Sequence, residues 1–410
     1  MHNLRINEQR LWDTLMETAE FGKTAKGGIK RLTVSDLDRK VRDWFVARCE
    51  EAGCTVTVDD MGNIYAVRPG KDNSLPPIAC GSHLDTQPTG GKFDGVLGVL
   101  SGLELVRTLN EAGVETQAPI MVVNWTNEEG SRFAPAMLAS GVYAGAIDKQ
   151  EAYGLTDRDG LKFGEELERI GYKGDEPCGE RKFGAFFEVH IEQGPILEAE
   201  DKVIGVVAHA QGQRWYDCTV VGRESHAGST PMKLRKDALA AAARIILAVQ
   251  EIALSKAPYG VGTVGVLTIG EPSRNVIPGT VTFTAEFRHP EDATLDEMDK
   301  ALREAVADAA KAQDVEIDLK DIWHYPAVRF DKGCIDAVQS ATDHLGYSNR
   351  EMVSGAGHDA CYVNRKAPTS MIFIPCKDGI SHNEIESAEF DHCAAGANVL
   401  LHAVLAKAGV

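Results

Sequence analysis

Apolar runs that end in polar clusters limit this chain to few folds. Four such runs, PIAC, PIMVVNW, AFFEV and SMIFIPC, are each followed within a few residues by histidine, aspartate or glutamate. Short apolar runs bounded by turn residues are typical of buried strands, and here they alternate with helix patterns. This alternation predicts an α/β sheet. Because active sites of open α/β sheets collect at the carboxyl ends of the strands, we expect the polar clusters to meet there.

The clusters together supply a set of metal ligands. A single buried histidine is more often a hydrogen-bonded core residue, so the prediction depends on the joint context. Imidazole and carboxylate groups suit zinc, manganese, cobalt or nickel. An aspartate shared by two ions, with two further ligands on each, makes a two-metal hydrolytic site. Glu128 would then be free to act as a general base. The candidate ligands are His83, Asp94, Glu129, His190 and His382.

Composition excludes some classes of function. The chain has 43 basic and 61 acidic residues, a net charge of −18, which argues against nucleic-acid binding but not against a small anionic substrate. Its nine cysteines include no C-x-x-C pair, as expected for free thiols in a reducing cytoplasm. There is no apolar signal segment, and no stretch approaches the ~20 apolar residues of a membrane span. We therefore expect a cytoplasmic protein without a membrane partner.

A length of 410 residues is enough for two domains. Residues 211–327 follow a β-α-β-β-α-β order, which is the ferredoxin-like α+β pattern. We read them as an insertion, because the last segment carries His382 and must return to the first domain. The predicted metal-binding catalytic domain is therefore discontinuous, with a mixed sheet, and consists of residues 1–210 and 328–410.

Periodicity predicts the principal helices. Apolar residues recur at helical spacing, and Ser35 with Asp38 has the form of a capping box before the second helix. The segment 150–182 is polar and irregular and is expected to be loop with one short helix. The predicted helices cover 6–21, 35–53, 95–112, 234–254 and 295–310.

Further polar residues have candidate roles around the metal site. Asp85 lies two residues after His83, so on an extended segment it could accept a hydrogen bond from the imidazole; the alternative is an ordinary turn aspartate. His226 and Asn275 are candidate donors to an oxyanion. Their alternatives are a polar loop histidine and a turn residue. His358 is interpreted as a structural residue or as one that supports a ligand, since five ligands already suffice.

A second group of residues could recognise a substrate carboxylate. Arg288 ends a predicted strand, and a guanidinium binds a carboxylate through two parallel hydrogen bonds. Gly355 and Gly357 would let main-chain amides approach the same carboxylate. The alternatives are a surface arginine and a plain tight turn.

These motifs resemble the amidase, hydantoinase/carbamoylase family of the dinuclear metallopeptidase superfamily. The resemblance covers nearly the whole chain and is carried by GSHLDTQPTGGKFDG, WTNEEGSRF, HIEQGPILE, NVIPG, SGAGHD and KDGISHN. It implies two divalent ions bridged by Asp94, with Glu128 as the general base. It also implies a homodimer, built by the inserted domain, in which His226 is offered to the partner's metal site. Arg288 would bind the substrate carboxylate, and Gln193 would face the substrate or else cap a loop.

The resemblance also implies a substrate class. Histidine at position 190, where many peptidases of the superfamily have aspartate, favours a ureido or amide substrate over a peptide. The expected substrate is an N-carbamoyl amino acid with a free carboxylate, with N-carbamoyl-β-alanine first, N-carbamoyl-L-α-amino acids second and allantoate third. A dipeptidase or acylase is a further enzymatic alternative. A non-enzymatic, metal-stabilised scaffold is the contrasting class, and in it Glu128 would have no role.

Overall fold

The chain divides into two compact units in the computed structural model, which describes residues 3–410. Unit 1 comprises the chain up to Ala208 together with Arg329–Val410, and unit 2 is His209–Val328. The unit boundaries lie within two residues of those predicted from the sequence. The functional labels of the two domains, catalytic and dimerisation, stay predictions.

The strands include one in each of the four predicted apolar runs. They are β1 Thr55–Val58, β2 Ile64–Arg68, β3 Ile78–His83, β4 Ile120–Trp125, β5 Ala185–Ile191, β6 Ile204–Ala210, β7 Gly212–Val221, β8 Ser225–His226, β9 Val261–Thr263, β10 Leu267–Ile269, β11 Val276–Ile277, β12 Thr280–His289, β13 Glu316–Tyr325, β14 Val328–Arg329, β15 Asn349–Ser354 and β16 Thr369–Ile374.

The helices lie before, between and after these strands. They are α1 Glu8–Ala19, α2 Asp36–Glu51, α3 Val96–Glu111, α4 Leu138–Tyr143, α5 Lys149–Gly154, α6 Phe163–Arg169, α7 Ile196–Ala199, α8 Ala238–Ser255, α9 Asp292–Gln313, α10 Lys332–Leu345, α11 Asp359–Val363 and α12 Phe390–Ala408, with 3₁₀ turns at Met232–Leu234 and Lys377–Gly379.

The larger sheet places the polar clusters at one edge. Its order is β1-β2-β4-β3-β5-β16-β6-β14, with β15 paired to β6. The four central strands β4, β3, β5 and β16 are parallel neighbours, whereas β1, β2 and β6 pair antiparallel. Every residue of the four central strands is buried, as expected where helices cover both faces of a parallel sheet. The carboxyl ends of the four strands therefore meet at the same edge.

Unit 2 has the predicted ferredoxin-like order. Its antiparallel sheet runs β10-β12-β7-β13, with β9 also paired to β12. The core alternates along the strands, with Tyr216, Cys218 and Val220 buried on β7, as expected for a sheet with one covered face. The predicted fold class, a mixed-sheet α/β unit with a ferredoxin-like insertion, is confirmed.

Local differences from the sequence prediction have physical causes. The helix predicted over 234–254 begins later, at Ala238, because Asp237 caps it by accepting a hydrogen bond from the N–H of Ala240 at 3.0 Å. At α2, Ser35 accepts from the N–H of Asp38 at 3.2 Å, but the Asp38 carboxylate accepts from Val34 at 2.7 Å instead of returning to Ser35. The segment 150–182 contains parts of two helices, α5 and α6, instead of one.

One helix is more apolar over its length than the sequence analysis expected of any segment. The helix α8 is long and apolar enough to cross a membrane by length and composition alone. It buries Ala238, Ala241, Ala242, Ile245, Val249 and Ala253 in the core of unit 2. About 39% of the helix is buried, and a single helix of this length and composition is weak evidence for a membrane span.

The fold generates a prediction at Gly81, which lies on β3 two residues before His83. A Cβ at Gly81 would lie 2.0 Å from the carbonyl oxygen of Val123 on the paired strand β4. Gly81→Ala must therefore separate β3 from β4, and we expect it to destabilise unit 1 by about 3 kcal/mol, the upper range for overpacking. Thermal unfolding of the metal-free protein measures the loss. Gly154→Ala is the matched control, because among residues 3–410 no atom beyond its chain neighbours and its own helix backbone lies within 4 Å of the added Cβ, and an equal effect of both substitutions would contradict the prediction.

Candidate metal centre

Asp94 is the centre of the predicted ligand set. Its Oδ1 lies 3.5 Å from His83 Nε2 and 3.1 Å from His190 Nε2. Its Oδ2 lies 3.5 Å from His382 Nε2, and that nitrogen lies 3.5 Å from Glu129 Oε2. The five predicted ligands thus form two groups that share Asp94, and within each group the ligand atoms lie within 4.8 Å of one another.

The elements of unit 1 explain why these residues meet. His83 is the last residue of β3 and His190 lies near the end of β5, so both belong to the carboxyl edge of the parallel strands. Glu129 follows β4, and His382 follows β16. Asp94 lies in the loop between β3 and α3. Each ligand therefore comes from the carboxyl edge of a different strand or from the loop beside it, as expected for an open α/β sheet.

Main-chain carbonyl groups orient the two buried histidines. The Nδ1 of His83 lies 2.9 Å from the carbonyl oxygen of Asp85, and the Nδ1 of His190 lies 2.9 Å from that of Ile191. A carbonyl only accepts, so each Nδ1 carries a proton, and in the neutral ring each Nε2 presents a lone pair. The N–H of Gly95 donates to His190 Nε2 at 3.2 Å, which agrees with this tautomer.

The prediction that the Asp85 carboxylate accepts a hydrogen bond from the His83 imidazole is wrong, because the main-chain carbonyl of Asp85 makes that contact. The Asp85 carboxylate lies 3.9 Å from His83 Nδ1, too far for a hydrogen bond. The chain turns after His83, so the Asp85 carbonyl reaches the imidazole while the carboxylate points to the next loop. There it accepts from the N–H groups of Glu128 and Glu129, both at 3.3 Å. Asp85 therefore connects His83 to the loop that carries both glutamates.

Glu128 and Glu129 occupy different positions. Glu129 belongs to the group with Asp94 and His382. Glu128 is buried and places Oε2 3.4 Å from His83 Nε2, but it belongs to neither of the two groups that share Asp94. A carboxylate beside two ligand groups, yet outside both, has the position that a general base requires.

Several residues that support the ligands were missed by the sequence analysis. Gln87 donates to Glu129 twice, from its main-chain N–H at 3.0 Å and from its side-chain amide at 2.7 Å. Gln193, predicted to face the substrate, donates to Asp94 Oδ2 at 2.9 Å and so contacts a ligand. Ser381 and Glu386 also lie beside Asp94. The only sequence signal for them is that each stands within five positions of a predicted ligand.

The site contains several buried carboxyl groups whose pKa values are shifted. Burial raises the pKa of Glu128 well above its usual value, and nearby carboxylates such as Asp359 add to the shift. Burial, together with Asp94, raises the pKa of Glu129 in the same way. Asp94 is opposite: although burial opposes its ionisation, His190 and His83 hold its pKa well below the usual range. Such crowding of carboxylates is relieved by a cation.

The residues present fit a divalent metal ion. The Nε2 of His83 is buried and has no hydrogen-bond partner among residues 3–410, although a buried imidazole nitrogen ordinarily has one. It faces oxygens of Asp94 and Glu128. Imidazole nitrogens and carboxylate oxygens are the donors that zinc, manganese, cobalt and nickel accept. A metal ion would give this nitrogen its missing partner.

A cavity of about 90 Å³ opens beside the ligands. His358 lines it and places its ring centroid 4.5 Å from that of His190. The Nε2 of His358 lies 3.0 Å from the Ser354 hydroxyl, and His358 also forms a third group of possible metal ligands with Glu188 and His190, so its predicted structural or supporting role stays a prediction. Gly357 lines the cavity too, whereas Gly355 lies on the same loop at an exposed position. The remaining lining residues are Asp94, Glu128, Glu129, Ala136, His190, Gln193 and His382.

Unit 2 contains the predicted residues His226, Asn275 and Arg288, and it brings the first two together. His226 on β8 pairs with Val276 on β11, and the N–H of Ala227 donates to the carbonyl of Asn275 at 2.8 Å. The Nδ1 of His226 accepts from the N–H groups of Gly228 and Ser229, at 3.0 and 3.1 Å. The neutral His226 ring therefore carries its proton on Nε2, where it can donate.

Arg288 lies elsewhere in unit 2, on β12. Its guanidinium forms an ion pair with Glu286 at 3.1 Å. Arg288 is opposite Gln213 of β7 and Val261 of β9 in the sheet register. The five predicted metal ligands all belong to unit 1, whereas His226, Asn275 and Arg288 all belong to unit 2.

Comparison with known proteins identifies the family. The sequence matches Peptidase family M20/M25/M40 over residues 79–406. The chain belongs to this family. It is 52% identical over 408 residues to N-carbamoyl-L-amino-acid amidohydrolase of Rhizobium meliloti, covering 100% of this chain and 98% of that relative. It is similar to the crystal structure of an amidase of the hydantoinase/carbamoylase family from Burkholderia multivorans, with 56% identity, a TM-score of 0.96 and coverage of 99% and 98% of the two chains.

A more distant relative is named for a different substrate. The chain is 32% identical to ureidoglycolate hydrolase of Arabidopsis thaliana, over 97% of this chain and 86% of that relative. The family resemblance predicted from the sequence is confirmed. This M20 family member is a carbamoylase-type amidohydrolase, a hydrolase of carbon–nitrogen bonds other than peptide bonds.

The two adjacent glutamates generate a prediction about metal content. Glu128→Gln should keep the bound metal, because Glu128 stands outside both ligand groups, yet kcat should fall by roughly 10²–10⁴, as expected on loss of a general base. Glu129→Gln should lose metal, because it removes a charged ligand. Elemental analysis of both variants, purified side by side, gives the answer. Metal-free Glu128→Gln together with fully loaded Glu129→Gln would reverse the two assignments.

Proposed function

We propose that this enzyme removes the carbamoyl group from N-carbamoyl-L-α-amino acids with the aid of two divalent metal ions. The observation that carries the proposal is Asp94, whose two oxygens face two separate groups of ligands. His83 and His190 would hold one ion, and Glu129 and His382 the other, with Asp94 between them. Bound divalent ions would acidify a water molecule and polarise the ureido carbonyl.

Glu128 is the proposed general base. It would take the proton from the attacking water and deliver it to the nitrogen of the departing amino acid. Water adds to the carbamoyl carbon, the bond from that carbon to the amino nitrogen breaks, and carbamic acid then decomposes to carbon dioxide and ammonia. The products are the free amino acid, carbon dioxide and ammonia. Burial of Glu128 beside His83 keeps bulk water away from this transfer.

The residues of unit 2 are proposed to bind the substrate. His226 would donate from Nε2 to the oxyanion, and the fixed tautomer supports this role. Asn275, held beside His226 by strand pairing, would be a second donor. Arg288 would bind the substrate carboxylate through two hydrogen bonds, assisted by main-chain amides at Gly355 and Gly357. Gln193 would hold Asp94 through its side-chain N–H and, as a residue that lines the cavity, would also face the substrate.

The relatives favour α- over β-amino acids. The sequence analysis placed N-carbamoyl-β-alanine first and N-carbamoyl-L-α-amino acids second. The relative from Rhizobium meliloti, at 52% identity, and the one from Geobacillus stearothermophilus, at 38%, are both N-carbamoyl-L-amino-acid amidohydrolases. N-carbamoyl-L-α-amino acids are therefore the better supported substrates, and we adopt them. The metal, whether zinc, manganese, cobalt or nickel, the homodimer and the cytoplasmic location stay predictions.

A substrate panel tests the proposed function. Ammonia release would be measured with an N-carbamoyl-L-α-amino acid, its D enantiomer, N-carbamoyl-β-alanine and the amide of the first compound. The enzyme should prefer the L-α acid, lose activity on chelation and regain it with at least one of the four divalent ions. The amide should react poorly because it lacks the charge that Arg288 would bind. A preference for N-carbamoyl-β-alanine would instead support the substrate that the sequence analysis placed first. Equal turnover of the acid and its amide would contradict the role of Arg288.

The role of His226 across a dimer is tested by mixing two inactive variants. If His226 serves the partner chain, His226→Ala and Glu129→Ala damage different halves of one composite site. A heterodimer then has one intact site, with metal ligands from the His226→Ala chain and the histidine from the Glu129→Ala chain. Random pairing makes about half of the dimers heterodimers, so about a quarter of wild-type activity should return.

Subunit exchange is verified with tagged chains before activity is measured. Mixing His226→Ala with Arg288→Ala provides the comparison. If both side chains of one chain serve the same site, no activity returns, whereas activity returns if they serve different sites. No recovery by the His226→Ala and Glu129→Ala pair after verified exchange would show that His226 acts within its own chain.

A further inference from the structure

Glu386 is a buried carboxylate that the proposed chemistry leaves unused, although it lies against the central ligand. Its Oε1 accepts hydrogen bonds from the main-chain N–H groups of Phe93 and Asp94, at 3.2 and 3.1 Å. Its Oε2 accepts from the hydroxyl of Ser381 at 2.9 Å. Phe93 and Glu386 are 293 positions apart in the sequence. One side chain therefore joins two loops that are distant in sequence.

Both loops carry a proposed metal ligand. The first loop contains Asp94, and in the second Ser381 immediately precedes His382. The Ser381 hydroxyl also lies 3.1 Å from Asp94 Oδ2, which is the oxygen that faces His382. A hydroxyl has one proton and can donate it fully to only one carboxylate at a time. Glu386 and Asp94 therefore share one donor, and Glu386 acts on the half of the site formed with Glu129 and His382.

This half of the site needs additional support. His83 and His190 are each 1% exposed, and main-chain carbonyl groups fix both rings. The side chain of His382, in contrast, is 52% exposed, and its φ of 53° is uncommon for a residue other than glycine. A ligand on an exposed loop in this conformation keeps its position only if the surrounding contacts hold it. The contacts of Glu386 with Ser381 and Asp94 supply such a constraint.

The local backbone accommodates Glu386 closely. A Cβ at Gly91 would lie 2.1 Å from Glu386 Oε1, so a larger residue there would displace the carboxylate. The described partners of Glu386 are two amides and one hydroxyl, none of them a cation. Burying a carboxylate beside Asp94 without a cation is unfavourable. A metal ion next to Asp94 would offset that cost, so the position of Glu386 is understandable in the loaded site.

We infer that Glu386 is a positioning residue for the second metal ion, the one bound by Asp94, Glu129 and His382. It holds the main chain of Asp94 and the Ser381–His382 loop at a fixed separation. The inference rests on the proposed two-metal function. It assigns to Glu386 no contact with the substrate or with the reacting atoms.

A cobalt titration of the metal-free enzyme tests this inference. The stoichiometry and both dissociation constants would be measured by competition with a coloured chelator. Glu386→Gln keeps the size of the side chain but removes the charge, and Glu386→Asp keeps the charge but shortens its reach. Because its ligand His382 is exposed, the second ion is expected to be the weaker-binding one. Both variants should weaken this ion by about 10–100-fold, the usual effect of removing a residue that orients a ligand, and change the tighter ion by less than about twofold. At saturating cobalt, turnover should largely return.

Glu192→Gln is the matched control. Glu192 is also a buried glutamate, and it accepts from the main-chain N–H groups of Ile196 and Leu197, both at 2.8 Å. Neither partner is a proposed ligand, so both cobalt affinities should stay at the wild-type values. If both Glu386 variants fail to fold, as judged by thermal unfolding, Ser381→Ala replaces them, because it removes the hydroxyl between Glu386 and Asp94 and should weaken the same ion.

The outcomes separate this inference from the function on which it rests. Two ions per wild-type chain with unchanged affinities in the variants would overturn the role of Glu386 and leave the proposed function intact. Equal weakening of both ions would also overturn it, because the contacts act on one half of the site. Fewer than two ions in the wild-type enzyme would remove the two-metal site itself, and the inference with it.

Discussion

The opposite orientation of the two oxygens of Asp94 is the constraint on which the site depends. One oxygen faces two buried histidines and the other faces an exposed histidine and a glutamate. A single carboxylate can bridge two ions only if the main chain around it is held firmly. That hold comes from the carboxyl edge of four parallel strands and from Glu386, which accepts the N–H of Asp94 itself.

The two halves of the site are built to different degrees of rigidity. His83 and His190 belong to buried strands, and main-chain carbonyl groups orient both rings. His382 lies on a loop, and its environment depends on Gln193, Ser381 and Glu386. Rigid placement on one side and loop placement on the other would let one ion bind strongly while the second responds to its surroundings. The buried strands thus fix the ligands of one ion, whereas loop contacts set the position of the ligands of the other.

Much of this arrangement could be predicted from the sequence, and the limits are physical. Strand-end clusters predicted the five candidate ligands, which the structure brings together, because apolar runs locate buried strands and parallel strands share an edge. The period of two along a strand placed Asp85 near His83 but could not show that its carbonyl, and not its carboxylate, makes the contact. Gln87 and Glu386 were missed because their roles depend on hydrogen bonds to distant loops. Such contacts leave no periodic signal in a single sequence.

A crystal structure with anomalous scattering from the bound metal tests the central claim most directly. The account predicts two anomalous peaks about 3.5–4 Å apart, the usual spacing in two-metal sites, with the Asp94 carboxylate between them. His83 and His190 should coordinate one ion, and Glu129 and His382 the other, while Glu128 coordinates neither. A single peak at full metal occupancy, or two peaks with Glu128 as a ligand in place of Glu129, would contradict it.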